Sequence, residues 1–434
     1  MNSMKHLLVV KEYDQIIDES NKQSWMKCHT LPTETFNNLK NFIEQFNVQE
    51  TEADALSFMS IGYKRDYGDV ITIKNYVGLI QMHDGTQIEI LPKLSIEDPD
   101  FKIAKKIFIK MIRSLKDFSG KVFNAANLSV DRMNLYEIFI SMYLQEVRHL
   151  IKKGMKSFYE GKEDNLKLYK GKLKIKEQHR LNQVHKERFY VTYDEYTQNR
   201  PENRLIKSTL LKLQQLSNYI HNITDIKNLL NSFEHINVSD NFDRDFSKVV
   251  ISRANHEYET IMNWSKVFLY NKSFTTFSGT STARALLFPM EKVFESYVAS
   301  ELKKGSKSED WDISTQDRGF YLFESPEKFA LRPDIVVQRN LGDVIVIDTK
   351  WKMLEDDERK NYGISQSDMY QMYAYAKKYY SKKVFVVYPL NDSVESYVHQ
   401  GIEFTSEGIS FKILFFDLVN VDNSVSKIIE AIKA

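Results

Sequence analysis

The sequence predicts a multidomain protein of mixed α+β and α/β class, with a β-rich N-terminal domain, a helical middle region and a C-terminal α/β domain. The chain has 434 residues, which is too long for a single hydrophobic core. Strand-like patterns dominate about the first hundred residues, helical spacing of apolar residues follows from about 130 to 270, and strands then alternate with helices. We therefore expect domains over residues 1–125, 126–270 and 271–434.

The composition is that of a folded protein with almost balanced charge. Hydrophobic residues make up 42% and charged residues 27% of the chain, and 24 Tyr and 27 Phe argue against extensive disorder. The formal net charge is +1, so any affinity for nucleic acid must come from local patches. The single cysteine, Cys28, excludes an intramolecular disulfide and a thiolate metal cluster.

The targeting signals that can be read from sequence are missing. The apolar run near the N-terminus is too short for a secretory signal, and no stretch approaches the roughly 20 apolar residues of a membrane span. We expect a cytoplasmic protein that makes no membrane contact.

The N-terminal domain is predicted from alternating patterns and one turn signal. Strands are expected over 69–74 and 76–82 and in a run from Gln87 that ends at Pro92. His83-Asp84-Gly85-Thr86 between the last two is typical of a hairpin turn. Helices are expected over 31–47 and 103–115, the second basic and amphipathic.

The middle region is predicted to be helical over 135–152, over 205–233 as one long or two abutting helices, and within 242–270. Residues 155–188 lie between these helices. They hold a dense run of lysines, which is typical of a solvated face, with DNA contact as the alternative. The run includes Lys167, Lys170, Lys172, Lys174 and Lys176.

The C-terminal domain should follow a polar linker over 271–283 that is rich in Ser, Thr and Gly. Helices are expected over 288–304 and 367–380. Strands are expected over 383–388 and 409–416, in addition to a hairpin within 332–352.

This hairpin carries the strongest functional pattern of the chain. If 339–343 is the turn, Gln338 faces Val344, and counting outward places Asp334 opposite Asp348, with Cβ atoms roughly 5 Å apart. Because side chains alternate along a strand, Lys350 projects from the same face as Asp348.

Two carboxylates this close repel each other unless a cation lies between them or one takes a proton. The strand residues around them are apolar on both faces, which predicts burial, and a buried charge needs a partner. The pattern therefore favours a metal site over a surface hairpin whose charges are merely solvated.

The residue types predict Mg²⁺ or Mn²⁺, bound by Asp334, Asp348 and the backbone carbonyl of Thr349, because hard cations prefer oxygen. Such a metal would activate a water and neutralise charge on a scissile phosphate, while Lys350 would orient the water or stabilise the transition state. The Thr349 side chain is expected to point to the opposite face. Divalent ions are expected to stabilise the protein.

Further residues could complete the site. Glu295 lies at the edge of the apolar stripe of the helix predicted over 288–304. A glutamate at this position is equally consistent with a metal ligand and with an ordinary surface residue. Asp368, Gln371 and Tyr375 share one face of the helix predicted over 367–380. Structural hydrogen bonding and substrate contact explain these three about equally well.

The pattern Asp334…Asp348-x-Lys350, preceded by a helix with Glu295, resembles that of the PD-(D/E)xK nuclease superfamily. Gln371 and Tyr375 resemble the Q-x-x-x-Y helix motif of its RecB-like branch. Over roughly residues 60 to 380 the chain resembles McrC, the family of nuclease subunits in McrBC modification-dependent restriction systems. The stretches that carry this resemblance are YVG at 76–78 with IEILPK at 88–93, YKGKL at 169–173, FExYV at 294–298, and RPD at 332–334 through SDMYQ at 367–371.

The resemblance implies a restriction-endonuclease-like C-terminal domain. Its catalytic residues would be Asp334, Asp348, Lys350 and Glu295, and the metal would be held by the three acids and the Thr349 carbonyl. The family often has an aromatic residue after the lysine, as at Trp351. Threonine at 349 departs from the commoner alanine.

The resemblance also implies a function and a partner. The chain would be a Mg²⁺-dependent DNA endonuclease subunit that cuts methylated DNA and stimulates GTP hydrolysis by an AAA+ McrB-like hexamer, which its N-terminal and middle regions would engage. The sequence contains no G-x-x-x-x-G-K-[ST] loop, so we expect no nucleotide on this chain. Two alternatives stay open: a free-standing RecB-like exonuclease, and a non-cleaving activator or scaffold of an AAA+ ring.

Overall fold

The structure is a computed structural model that describes residues 7–23, 25, 28–49, 58–94, 101–115, 133–253, 255–270, 283–339, 342–397 and 401–434. The chain divides into two compact units. The first unit contains the described residues up to 115 together with 133–135 and 283–434, and the second unit contains those of 136–270. The N-terminal and C-terminal parts thus share one unit, while the three-domain division stays a prediction.

The N-terminal part of the first unit is mainly β-structure. Its elements are β1 (Leu7–Lys11), β2 (Gln15–Asp18), β3 (His29–Leu31), α1 (Thr33–Gln49), β4 (Met59–Lys64), β5 (Gly68–Ile73), β6 (Tyr76–Met82), β7 (Gln87–Leu91) and α2 (Lys102–Ile112). The predicted hairpin is confirmed, because β6 and β7 pair antiparallel with Gln81 opposite Gln87. A separate sheet has the order β3-β2-β5-β4.

The second unit is mainly helical. Its elements are α3 (Leu135–Lys153, of which Leu135 belongs to the first unit), β8 (Phe158–Leu166), β9 (Lys172–Leu173), α4 (Ile175–Leu181), β10 (Phe189–Thr197), α5 (Pro201–Leu216), α6 (Ile220–Asn231), α7 (Phe242–Ser247) and α8 (Glu257–Tyr270). The segment predicted over 205–233 is two helices, α5 and α6. The sheet β8-β10-β9 was not predicted, because β8 is exposed or half-buried throughout and so lacks an apolar alternation.

The C-terminal part of the first unit is an α/β arrangement. Its elements are β11 (Ala283–Pro289), α9 (Met290–Gly305), β12 (Trp311–Thr315), β13 (Tyr321–Glu324), β14 (Glu327–Ala330), β15 (Ile335–Arg339), β16 (Val344–Thr349), α10 (Gln366–Lys378), β17 (Lys383–Pro389), β18 (Ile402–Ser406), β19 (Ile409–Phe416) and α11 (Val421–Lys433). Except for Ala283, the predicted linker over 271–283 lies outside the described residues.

A mixed sheet of order β12-β15-β16-β17-β19-β18 forms the core of this part. Neighbouring strands are parallel for β16, β17 and β19 and antiparallel elsewhere. Helix α10 packs on one face, where Met372 lies in the same core cluster as Phe415 of β19. Phe294 of α9 contacts Phe416, the next residue of β19, so α9 covers the opposite face.

The strands β1, β7, β6 and β11 form another sheet, in which β11 pairs with β6. Since β11 leads directly into α9, this sheet fixes the start of α9. Among the described residues, no helix is both long enough and apolar enough to cross a lipid bilayer.

Candidate active site

The predicted acidic hairpin forms with the predicted register. Gln338 pairs with Val344, and Ile335 pairs with Ile347 at the open end of the ladder. Asp334 directly precedes β15, whereas Asp348 lies near the end of β16 and is 2% exposed. The end of β16 lies in the middle of the sheet, between β15 and β17, where both faces are covered. This position explains why the acids are shielded from water.

Asp334 is held by the end of β16. Its Oδ2 accepts hydrogen bonds from the backbone N–H and from the hydroxyl of Thr349, both at 2.7 Å. The expectation that the Thr349 side chain points away from the site is therefore wrong. Asp334 lies outside the paired residues, so strand alternation does not fix the direction of its carboxylate, which reaches along the strand end to the threonine.

Lys350 occupies the predicted position beside Asp348. Its Nζ lies 2.9 Å from Asp348 Oδ2 and 4.0 Å from Asp368 Oδ1. It also donates a hydrogen bond to Gln371 Oε1 at 3.1 Å. The lysine is thus surrounded by oxygen atoms from β16 and α10, which fix the position of its charge.

The three polar residues predicted on one helix face all point into this region. Gln371 Nε2 donates to the hydroxyl of Tyr375 at 2.8 Å, and that hydroxyl donates to the backbone carbonyl of Arg332 at 3.0 Å. Asp368 lies in the first turn of α10, where the side chain of Ser365 caps the helix. The hydrogen-bonded series runs from Lys350 to the backbone two residues before Asp334, so α10 braces both halves of the site.

Glu295 joins the site through a residue that sequence reasoning missed. Gln316 follows β12, and its Nε2 donates to Glu295 Oε1 at 2.6 Å and to Asp334 Oδ1 at 3.4 Å. Its backbone N–H donates to the carbonyl of Asp334 at 3.0 Å. No local pattern marks Gln316; it could have been found only by knowing that β12 pairs with β15.

Burial and mutual repulsion raise the pKa values of the acids. Burial, with repulsion from Glu295, raises the pKa of Asp334 to about 7 against the hydrogen bonds from Thr349. Burial, with repulsion from Asp334, raises the pKa of Asp348 to about 7 although Lys350 acts in the opposite direction. Burial and then Asp348 raise the pKa of Glu295 above its ordinary value.

The pKa of Lys350 is also raised. Burial favours the neutral amine, but the carboxylates of Asp348 and Asp368 outweigh it, so the lysine stays charged. The hydroxyl of Tyr375 is buried near the same acids, and the pKa of Tyr375 rises to about 12. The site therefore combines one fixed positive charge with acids that are poised to ionise near neutral pH.

The acids of this site are of the type that a hard divalent cation prefers as ligands. Asp334, Asp348 and Glu295 are oxygen donors whose mutual repulsion a cation would relieve. Asp348 Oδ2 accepts no hydrogen bond of good geometry within the described part of the chain, although Lys350 lies beside it. Across that same part, no three Asp, Glu, His or Cys side chains converge into a ready-made cage. Gln316 and Thr349 hold two of the acids in this arrangement.

The sequence matches the family described as McrBC 5-methylcytosine restriction system component over residues 71–389. No curated protein matches it. Among solved structures, the refined half-complex from the tetradecameric assembly of Thermococcus gammatolerans McrB AAA+ hexamers with bound McrC is similar, with a TM-score of 0.68 at 18% identity, over 98% of this chain and 100% of that chain. The cryo-EM structure of the Thermococcus gammatolerans McrBC complex matches with a TM-score of 0.49 at 18% identity, over 69% of this chain and 88% of that chain. The first of these shows a shared fold along almost the whole chain.

Proposed function

The chain belongs to the McrBC 5-methylcytosine restriction system component family, and on that premise we propose that it is the DNA-cleaving subunit of such a system. Its C-terminal part would be a PD-(D/E)xK endonuclease domain, and the reaction would be metal-dependent hydrolysis of DNA phosphodiesters. One observation carries the proposal: near the end of β16, Asp334, Asp348 and Glu295 lie close enough to repel one another, and the Lys350 amine lies 2.9 Å from Asp348.

The residues have distinct roles in this proposal. Asp334, Asp348, Glu295 and the Thr349 carbonyl would hold Mg²⁺ or Mn²⁺, which would supply an activated water and neutralise charge on the phosphate. Lys350 remains protonated between Asp348 and Gln371, so it can donate to a phosphate oxygen that gains charge in the transition state. Gln371 and Tyr375 keep the lysine in place.

The partner would be an AAA+ GTPase hexamer. The family match and the absence of a phosphate-binding loop in the sequence support a division of labour in which nucleotide is hydrolysed by another chain. The solved structure of similar fold is described as McrB AAA+ hexamers with bound McrC. We propose that this chain likewise binds and activates such a ring, and that the partner reads the methylated base.

The proposal is tested by mixing the chain with the AAA+ protein of its own restriction system, GTP, Mg²⁺ and methylated plasmid. Wild-type chain should cleave the plasmid and stimulate GTP hydrolysis. Asp348→Ala should abolish cleavage and leave the stimulation intact, because the nuclease site contributes nothing to the partner's nucleotide site. Asp343→Ala, in the exposed turn of the same hairpin, is the matched control and should behave like wild type.

Other outcomes support the alternatives. Cleavage of DNA ends by the isolated chain without nucleotide would indicate a RecB-like exonuclease. Stimulation of GTP hydrolysis without any cleavage by the wild-type chain would indicate a non-cleaving activator or scaffold. Loss of both activities in Asp348→Ala, with the control intact, would disprove the division of labour.

A further inference from the structure

A buried carboxyl group lies beside the candidate active site and takes no part in the chemistry described so far. Glu12 follows β1, in the N-terminal part of the chain, and is 0% exposed. Its Oε2 accepts a hydrogen bond from the backbone N–H of Lys93 at 3.1 Å. Its two oxygens also accept from Trp351 Nε1, at 3.0 and 3.1 Å. These hydrogen-bond donors are neutral.

Such a group is costly to bury. A carboxylate removed from water loses its solvation, and neutral donors restore it only in part. Burial accordingly raises the pKa of Glu12 to about 8. An apolar side chain could fill the same space, so the carboxyl group needs an explanation beyond packing.

The explanation lies in what Trp351 touches. Trp351 directly follows Lys350 and is 4% exposed. Its ring packs against Phe294, with ring centroids 5.3 Å apart, and Phe294 is the neighbour of Glu295 in α9. The indole of Trp351 is therefore linked to two candidate site residues. It follows Lys350 in the sequence, and it contacts Phe294, the residue before Glu295.

The backbone at this point needs such an anchor. Strand β16 ends at Thr349, so Lys350 and Trp351 lie beyond the regular ladder. The Lys350 N–H still donates to the Val387 carbonyl at 2.9 Å, but the next residue leaves the sheet. Consecutive Cα atoms are about 3.8 Å apart, so fixing the Trp351 side chain restricts the backbone position of Lys350, from which the amine reaches Asp348.

We propose that Glu12 is a positioning residue for the nuclease site: by accepting the indole N–H of Trp351, it fixes Lys350 and the α9 residues around Glu295. This inference rests on the proposed nuclease function. It assigns to the N-terminal part of the chain a role in cleavage in addition to any role in partner binding.

Glu12→Ala and Trp351→Phe test the inference in the cleavage assay with the partner ring. Both variants should lower kcat for cleavage strongly, up to about a hundredfold as for a site displaced by 1 Å, while the KM for DNA and the stimulation of GTP hydrolysis stay unchanged. Glu12→Gln should recover most of the activity, because its amide oxygen still accepts from the indole. Trp351→Phe keeps an aromatic ring against Phe294 and removes the indole N–H together with part of the buried ring.

Glu89→Gln is the control for a second buried carboxyl group, one that contacts Leu135 and Lys105. Glu89 is also 0% exposed in the same sheet, where it accepts from the Leu135 N–H and pairs with Lys105, away from Trp351. It should lose stability but keep kcat when assayed well below its melting temperature. If Glu12→Ala cleaves like wild type, or if Glu89→Gln loses kcat equally, Glu12 has only a structural role and the inference fails.

A second measurement separates this inference from the proposed function. In the full chain labelled with 5-fluorotryptophan, the ¹⁹F signal of Trp351, assigned by its absence in Trp351→Phe, should shift or broaden in Glu12→Ala and not in Glu89→Gln. If the wild-type chain cleaves no DNA, the proposed function fails whatever the ¹⁹F result. If it cleaves and the ¹⁹F signal is unchanged in Glu12→Ala, the positioning role alone is refuted.

Discussion

Each acid of the candidate site is held by a donor from a different position in the chain. Thr349 donates hydrogen bonds to Asp334, Gln316 donates one to Glu295, and the Lys350 amine forms an ion pair with Asp348. These contacts offset only part of the cost of burial and of the mutual repulsion, so the pKa values of Asp334 and Asp348 are raised to about 7. A divalent cation must displace the protons on these acids, which couples metal binding to pH.

The first prediction concerns stability against pH in the absence of divalent metal. The pKa of Asp348 is about 7 in the folded protein, against an ordinary value of 3.8. Between about pH 4 and pH 7, the folded state therefore holds a proton on Asp348 that the unfolded chain has released. Protonation stabilises the fold below about pH 4, and that contribution is lost as pH rises to about 7. In EDTA, the free energy of unfolding of wild type relative to Asp348→Asn should fall across this window, as measured by urea denaturation between pH 5 and 8.

Mg²⁺ supplies the complementary test. At pH 8 it should restore stability to the wild type, because the cation binds only the folded site, and should have little effect on Asp348→Asn. If wild type and variant give parallel stability profiles in EDTA, the acids do not repel each other in the way we describe.

The second prediction concerns the hydroxyl of Thr349. The sequence analysis predicted it on the face opposite the acids, whereas it donates to Asp334. This hydroxyl lowers the pKa of Asp334, so Thr349→Ala should raise that pKa. A hydrogen bond to a charged group contributes roughly 1.5–3 kcal/mol, which corresponds to a shift of about one to two pKa units. The acidic limb of the pH–rate profile for cleavage should therefore move to higher pH, with the maximal rate nearly retained. Thr349→Ser keeps the hydroxyl and should leave the profile in place.

At the scale of elements, the hairpin of β15 and β16 could be predicted because alternation and turn position together determine its register. The helix α10 could be predicted because the spacing of its polar face is a local pattern. By contrast, Gln316 is 18 residues from Asp334, and Glu12 is 339 residues from Trp351. Such pairs follow from the strand order and the packing of elements, which no local pattern reports. Gln316 and Glu12 could not be found from the sequence for this reason.

The third prediction concerns the contact between β6 and β11. Strand β11 leads directly into α9. Gly78 has φ +138°, and a Cβ there would lie 2.0 Å from the carbonyl oxygen of Leu286. Gly78→Ala should therefore force the two strands apart and lower the free energy of unfolding by roughly 2–4 kcal/mol. Gly62, in β4, is the matched control, since a Cβ there meets no atom within 4 Å. Gly62→Ala should change stability by less than about 1 kcal/mol in the same denaturation experiment.

At the scale of the whole molecule, charge decides how the chain can meet DNA. The net charge of +1 gives no general attraction to phosphate. The lysine-rich sheet of the second unit is partly neutralised by its own acids, because Lys162 pairs with Glu195 and Lys174 with Glu163. Another lysine of the run, Lys170, lies over the ring of Tyr193 at 4.0 Å. Such contacts are typical of a solvated face, which stays the interpretation of the sequence with DNA contact as its alternative.

The last prediction follows from this charge balance. In EDTA, which prevents cleavage, the isolated chain should bind a labelled duplex weakly, as measured by fluorescence anisotropy between 50 and 200 mM salt. A chain that neutralises about three phosphates or fewer gives a log–log salt slope no steeper than about −3. The double variant Lys167→Gln and Lys176→Gln should leave affinity and slope unchanged, since neither lysine is expected to contact DNA. A slope steeper than about −5, reduced by this double variant, would instead assign DNA binding to the second unit. In that case this chain would bind DNA without its partner.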